Sequence, residues 1–257
     1  MMVQARRADP APVQQVALPS SIVRLAVQKG RERDEAMSHA TSDLITLAFF
    51  FLLRVGEYTE SAGDRLTVPL RLQDITLWQG NRSIPHSAND AEIALATGVT
   101  LKLANQKNGI KDAVMYHNSS GDPVFNPVGA ACRIVCCLRG HPRSSGIGTY
   151  VDSEGLTKRV SPALIREVLK GATAASTLLG ENINHRLVGT HSLRSGGAMR
   201  LKLAGFDEIT IKKLGRWSSD TYLVYIQSQI ANLNEGIARQ MALPVSFRMI
   251  ASPNHTR

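Results

Sequence analysis

Hydrophobic residues recur along this chain with two different periods, and the changes of period divide it. Apolar positions fall at helical spacing first, predicting one helix over 21–37, capped by Ser20 or Ser21. A second follows over 43–58, opening near Thr41 or Ser42 with Asp43 in its first turn. The second helix is apolar on nearly every side, so it should be buried on nearly every side. From Leu66 to His117 the period falls to two. Residues 70–78 read as a strand, 79–83 as a turn, and over 98–106 Val99, Leu101 and Leu103 alternate with Thr100, Lys102 and Ala104. Lys107-Asn108-Gly109 is a hairpin signal ahead of a strand at 112–117. Helical spacing returns at 126–140 and 161–177, where Pro127 and Pro162 follow capping residues. It continues at 191–205, between Thr190 and Gly205, and at 207–214, with Asp207 at its start. Residues 141–155 read as a loop. The expected fold class is α+β, mainly α-helical with a small antiparallel β-sheet. Residues 1–19 read as a flexible leader, 20–245 as one folded domain, and 246–257 as a disordered tail.

Composition narrows what such a domain can do. The 257 residues are 43% hydrophobic, ample for a packed core. Thirty Lys and Arg against 21 Asp and Glu give a net charge of +9, spread along the chain, which favours an anionic partner, nucleic acid first. Neither a phosphate loop nor a dinucleotide fingerprint is present, which argues against a nucleotide-dependent small-molecule enzyme. Cys132, Cys136 and Cys137 are an odd set in one helical pattern and read as buried free thiols; no second pair completes a zinc ligand set. No metal or cofactor is expected. The longest apolar run, 44–53, is about half the ~20 residues a membrane span needs, and the first fifteen positions lack a signal-peptide core. A soluble protein of a reducing compartment is expected, nuclear in a eukaryote and cytoplasmic otherwise.

Candidate chemistry is scattered, and each piece has an ordinary explanation. Arg54 and Glu57 end the apolar helix one turn apart, as a surface ion pair would. Lys107 sits at the hairpin tip, where lysines commonly protect an edge. His191 opens a helix with Arg194 on the same face; backbone N–H groups and the dipole there favour an anion, and a guanidinium fork matches two phosphate oxygens. Gly196 and Gly197 each cost about 1 kcal/mol in a helix interior relative to Ala, which predicts another backbone packed against them. Lys212, Lys213 and Arg216 cluster ahead of Trp217 as candidate DNA-binding cations, and Tyr222 and Tyr225 share a face of the helix expected after them.

The order of these pieces is distinctive: R-x-x-E at Arg54, a hairpin lysine at Lys107, H-x-x-R at His191 and Arg194, a G-x-W at Trp217, and Tyr225 eight residues later. This resembles the catalytic domain of the tyrosine recombinase, or phage integrase, superfamily. The segments HSLRSGGA, GRWSSDTYLVYI and NPVGA look most like the DIRS-like and Crypton-like recombinases of eukaryotic mobile elements. The resemblance covers roughly residues 20–242. It implies a DNA breaking-rejoining enzyme acting in recombination and integration without a cofactor, on double-stranded DNA and in self-associated assemblies. By it, Arg54 and Arg194 clamp the scissile phosphate, Tyr225 attacks, Lys107 protonates the leaving oxygen, His191 assists proton transfer, Trp217 donates to a phosphate oxygen, and Glu57 orients its neighbours. Tyr222 is too early for the family spacing. Family members usually carry an N-terminal helical clamp domain, whereas here a leader and one helix are expected before the catalytic part. The alternative is therefore a catalytically inert or relic DNA-binding protein derived from such a recombinase.

Overall fold

The computed structural model describes residues 15–60, 67–105, 111–177 and 183–217. Helix α1 (Ser20–Arg31) leads through the exposed charged run 32–35 into α2 (Ala36–Phe50). That run breaks the apolar spacing, so the first helix ends earlier and the second begins earlier than the sequence pattern suggested. Neither α1 nor α2 has a side-chain cap at its start. Leu44, Ile45, Leu47 and Ala48 of α2 have no exposed surface. Helix α1, α5 (Pro127–Cys137), α6 (Pro162–Ser176) and α7 (His191–Leu203) all pack against α2, which explains why it is apolar all round. Its buried hydroxyls satisfy themselves: Thr41, Ser42 and Thr46 each donate to the carbonyl four residues back, at 2.7, 2.9 and 2.8 Å.

Asp43, expected in a first turn, lies mid-helix and buried, paired with Arg31 of α1 and with Arg133 of α5 at 2.8 Å. Burial pushes its carboxyl above the usual range, and the two guanidiniums pull it back. The continuous helix expected over 43–58 is instead broken. Leu52 takes a left-handed φ of 49°, and α3 (Val55–Tyr58) restarts behind it.

The sheet is antiparallel, with strands β1 (Ile75–Gln79), β2 (Arg82–Ile84), β3 (Gly98–Asn105) and β4 (Lys111–Asn118) in the order β2-β1-β3-β4. Leu77 pairs with Val99 and Leu101 with Met115, so one face of the sheet is buried as the period-two pattern predicts. Several elements were missed, and β2 begins inside the turn expected over 79–83. Residues 72–74 form a 3-10 turn, closed by Asp74 accepting from the Arg71 N–H at 2.8 Å, so β1 starts later than expected. Helix α4 (Asp90–Ala94) is too short to show a period. Strands β5 (Thr149–Val151) and β6 (Thr157–Arg159) pair where a loop was expected; all three β6 residues are exposed and show no alternation. Asn126, Ser161 and Asp207 cap α5, α6 and α8 (Glu208–Gly215) as expected, and Gly205 closes α7 with φ +85°.

The leader expected over 1–19 is already packed at its far end. Val16 N–H donates to Leu187 O at 3.1 Å and Leu18 N–H to Ser192 O at 3.2 Å, burying Ala17 and Leu18 against α7. The two interior glycines are explained together: a Cβ at Gly196 would meet the Leu18 carbonyl, and one at Gly197 the Phe49 carbonyl and the Leu52 side chain. Among the described residues no helix is long and apolar enough to cross a membrane. Gly196→Ala should destabilise the fold by about 1–2 kcal/mol in urea denaturation, because overpacking against a backbone outweighs the gain in helix propensity. Unchanged stability would show that Leu18 is not seated on α7.

Candidate active site

The site is assembled around the carboxylate of Glu57. It has no exposed surface, and an unpaired ion in such a place costs several kcal/mol. The surrounding chain supplies the partners: Glu57 accepts from the Arg54 backbone N–H at 2.8 Å, from Arg54 Nη1 at 3.0 Å, and from Arg216 Nη2 at 2.7 Å. Arg54 is the N-cap of α3, so one carboxylate both closes that helix and fixes the guanidinium. Its side chain keeps 24% exposure and remains open to solvent on one side. This is not the surface ion pair that the spacing alone allowed.

Arg216 ends α8 in the left-handed conformation, φ 56° and ψ 41°, with its own N–H and that of Trp217 donating to the carbonyls of Lys213 and Lys212. Glycine usually fills such a position; a residue with a Cβ costs about 1–2 kcal/mol more there. Five interactions offset that cost. Besides Glu57, the guanidinium reaches Phe51 O at 3.1 Å, Leu52 O at 3.2 Å, Leu214 O at 3.2 Å and Met115 Sδ at 2.6 Å. At 6% exposure this side chain does not face DNA from the surface, which corrects its assignment as a DNA-binding cation. Burial lowers its pKa, Glu57 raises it, and Arg54 lowers it further. Lys212 is half-buried and Lys213 exposed on α8.

Arg194 is 1% exposed, and its two terminal nitrogens donate to the carbonyls of Leu52 and Gly215. Its guanidinium carbon lies 4.1 Å from the centre of the Trp217 ring, a stack worth about 0.5–2 kcal/mol depending on desolvation. Gly215 is required beneath that ring, because a Cβ there would occupy the indole's place. His191 stands at the first turn of α7. Its backbone N–H donates to the Gln15 side-chain oxygen at 3.0 Å, so Gln15 provides the cap that Thr190 was expected to provide. Burial, then the charges of Arg194 and Arg54, push the His191 pKa down to about 4. A neutral imidazole at pH 7 can accept a proton, which an imidazolium cannot.

Arg54, Glu57, His191, Arg194, Arg216 and Trp217 thus come together from three distant segments. Lys107, Tyr222 and Tyr225 lie outside the described residues. Strand β4 is tied to the site, since its Met115 meets Arg216 and its His117 donates to Phe50 O at 2.8 Å. Sequence reasoning missed Gln15, Met115 and the carbonyls of Phe51, Leu52 and Gly215. Backbone acceptors leave no mark in residue type. Cys132 and Cys136 are partly buried, and burial raises the Cys132 thiol to about 11; Cys137 is exposed, against expectation. Among the described residues no group of three or more His, Cys, Asp or Glu side chains is placed to hold a metal ion.

No protein-family model matches the chain, and no curated protein matches it. Solved structures do. The XerH site-specific recombinase in a post-cleavage complex with a palindromic difH substrate superposes with TM-score 0.55 at 13% identity, over 88% of this chain and 54% of that one. XerA recombinase gives 0.54 at 14%, over 90% and 67%. The pre-cleavage XerH complex gives 0.53 at 12%, over 90% and 53%. The chain spans about half the length of the XerH chains it matches. The fold is that of the tyrosine recombinase catalytic domain.

The geometry predicts two outcomes. Arg216→Met should cost about 3–5 kcal/mol in chemical denaturation, the range for breaking a buried pair, and Glu57→Gln in the same chain should recover part of it. Additive losses would separate the two residues. A proton titration of His191 by NMR should show it neutral down to about pH 5, with its midpoint near 4. The unfolded chain takes up that proton near 6.5, so this histidine favours the fold above pH 6.5 and loses that contribution as pH falls toward 4. A midpoint near 6.5 would contradict the burial.

Proposed function

We propose that this chain cleaves and rejoins DNA strands through a 3′-phosphotyrosine intermediate, with Tyr225 as nucleophile. The observation that carries the reading is the meeting of Arg54 and Arg194, far apart in sequence, at the end of α8, where Arg54 Nη2 reaches Arg216 O at 3.5 Å and Arg194 donates to Gly215 O, in a fold shared with XerH and XerA recombinases. The phenolic oxygen of Tyr225 attacks the scissile phosphorus, the bond to the 5′-oxygen breaks, and Lys107 protonates that oxygen as it leaves. Neutral His191 accepts the tyrosine proton. Arg54 and Arg194 meet the charge that develops on the phosphorane, and Trp217 donates its indole N–H to a phosphate oxygen. Because the covalent link conserves the phosphodiester energy, reversal of the step rejoins the strand without ATP. Glu57 and Arg216 hold Arg54 in position, and Lys212 and Lys213 contact the backbone of double-stranded DNA.

The substrate is a recombination or integration site, worked by self-associated copies of the chain. The narrower likeness to DIRS-like and Crypton-like recombinases of eukaryotic mobile elements rests on HSLRSGGA, GRWSSDTYLVYI and NPVGA alone; the similar solved structures do not support it, and a nuclear location depends on it. One observation favours a second reading, an inert DNA-binding relic: Arg194 is covered by Trp217 and committed to two carbonyls. A phosphate reaches its guanidinium only if that arrangement opens.

Incubation with a nicked DNA that traps cleavage should leave a covalent protein–DNA adduct, absent in Tyr225→Phe and retained in Tyr222→Phe. An adduct that persists in Tyr225→Phe overturns the assignment. Absence of any adduct, together with a salt-steep shift of duplex DNA, establishes the relic instead.

A further inference from the structure

We infer that Gln15 is a positioning residue for His191, so that the segment 15–19 ahead of α1 is a working part of the active site. The inference rests on the proposed role of His191 in proton transfer.

Four contacts fix the segment that carries Gln15. Val16 N–H donates to Leu187 O at 3.1 Å and Leu18 N–H to Ser192 O at 3.2 Å, one bond on each side of the turn that leads into α7. The Leu18 carbonyl lies against Gly196, where any side chain would displace it. Between these anchors the Gln15 side-chain amide lies over Gly189, its oxygen accepting the His191 N–H at 3.0 Å. A Cβ on Gly189 would overlap the Gln15 amide and push that flexible side chain aside. The Gly189 N–H donates to Ser192 Oγ at 3.0 Å and its carbonyl accepts from Ser192 N–H at 3.1 Å, so the turn before His191 is closed from within as well.

The orphan N–H groups of a helix's first turn need outside acceptors, and the residue before the helix ordinarily takes the second or third of them. Thr190 makes no such bond and itself adopts helical angles, φ −64° and ψ −27°. The acceptor comes instead from a residue 176 positions upstream. Removing it leaves the first N–H of α7 without that acceptor, at the residue whose imidazole belongs to the site. The charges that bear on the imidazole come from Arg194 on α7 and Arg54 at the head of α3, both positive. Glu57 is engaged by Arg54 and Arg216, so an acidic group in the place of Gln15 would add a negative charge beside the backbone of His191.

Gln15→Ala should slow single-turnover cleavage about five- to tenfold, the scale of one lost hydrogen bond, with DNA affinity unchanged. Gln15→Glu keeps an acceptor oxygen, so it should restore most of the rate while raising the His191 midpoint in an NMR titration. Gly189→Ala, which displaces the amide without touching Gln15, should reproduce Gln15→Ala. The inference is overturned if Gln15→Ala leaves both the cleavage rate and the His191 ring resonances unchanged, or if it lowers only the melting temperature. The titration needs no DNA, so it decides the placement of Gln15 even if Tyr225 proves not to be the nucleophile.

Discussion

A buried carboxylate that cannot stay unpaired sets the geometry of this molecule's centre. Glu57 lies at zero exposure between the guanidiniums of Arg54 and Arg216, one contributed by its own helix and the other by the end of α8. Satisfying it requires the last described helix to return to the third, and that return brings Trp217 over Arg194. The ion pairs are a constraint more than a source of stability, since burying charges recovers little net energy even when the pairing is good. What they provide is a unique arrangement, because any other docking of α8 would strand a charge.

The break after α2 is the second half of the same device. A helix that continued through Leu52 would spend its carbonyls on internal hydrogen bonds. By turning at Leu52, the chain directs the carbonyls of Phe50, Phe51 and Leu52 to His117, Arg216 and Arg194. Arginine has five donors and no acceptor, so a cluster of arginines in the interior needs such carbonyls as much as it needs a carboxylate. The strain at Leu52 and at Arg216, both left-handed, sits where these donors and acceptors meet.

This explains which parts of the protein were legible in its sequence. Strands β3 and β4, the later half of the strand expected over 70–78, and the capped helices α5, α6 and α8 follow local rules of period and cap, and those rules predict them. The apolar α2 predicts its own burial, and the glycine pair in α7 predicts a close backbone, found in Leu18 and Phe49. Arg54, His191, Arg194 and Trp217, singled out by their order along the chain, lie near one another in the fold. Arg216 was misread because a guanidinium looks the same in sequence whether it faces solvent or the core. Only the companion carboxylate, 159 positions away, decides between them. Gln15 was invisible for a similar reason: it acts through a backbone N–H, at a distance in sequence that no local motif spans.

The cations of the site are held largely dry before any substrate arrives, and this bears on how they could act. A guanidinium in water must shed its shell to bind a phosphate, and most of the gain is lost in that exchange. Arg194 has already left water and holds carbonyls in its place, so a phosphodiester would compete with neutral dipoles rather than with bulk solvent. Exchanging a carbonyl for a phosphate oxygen strengthens each bond, because the acceptor then carries charge. The same dryness keeps His191 neutral between two positive neighbours. A phosphate entering there would cancel part of that positive field and raise the histidine's affinity for a proton. On the proposed reading, His191 would then become more basic only when a phosphodiester is bound, which would link proton transfer to substrate binding through electrostatics alone.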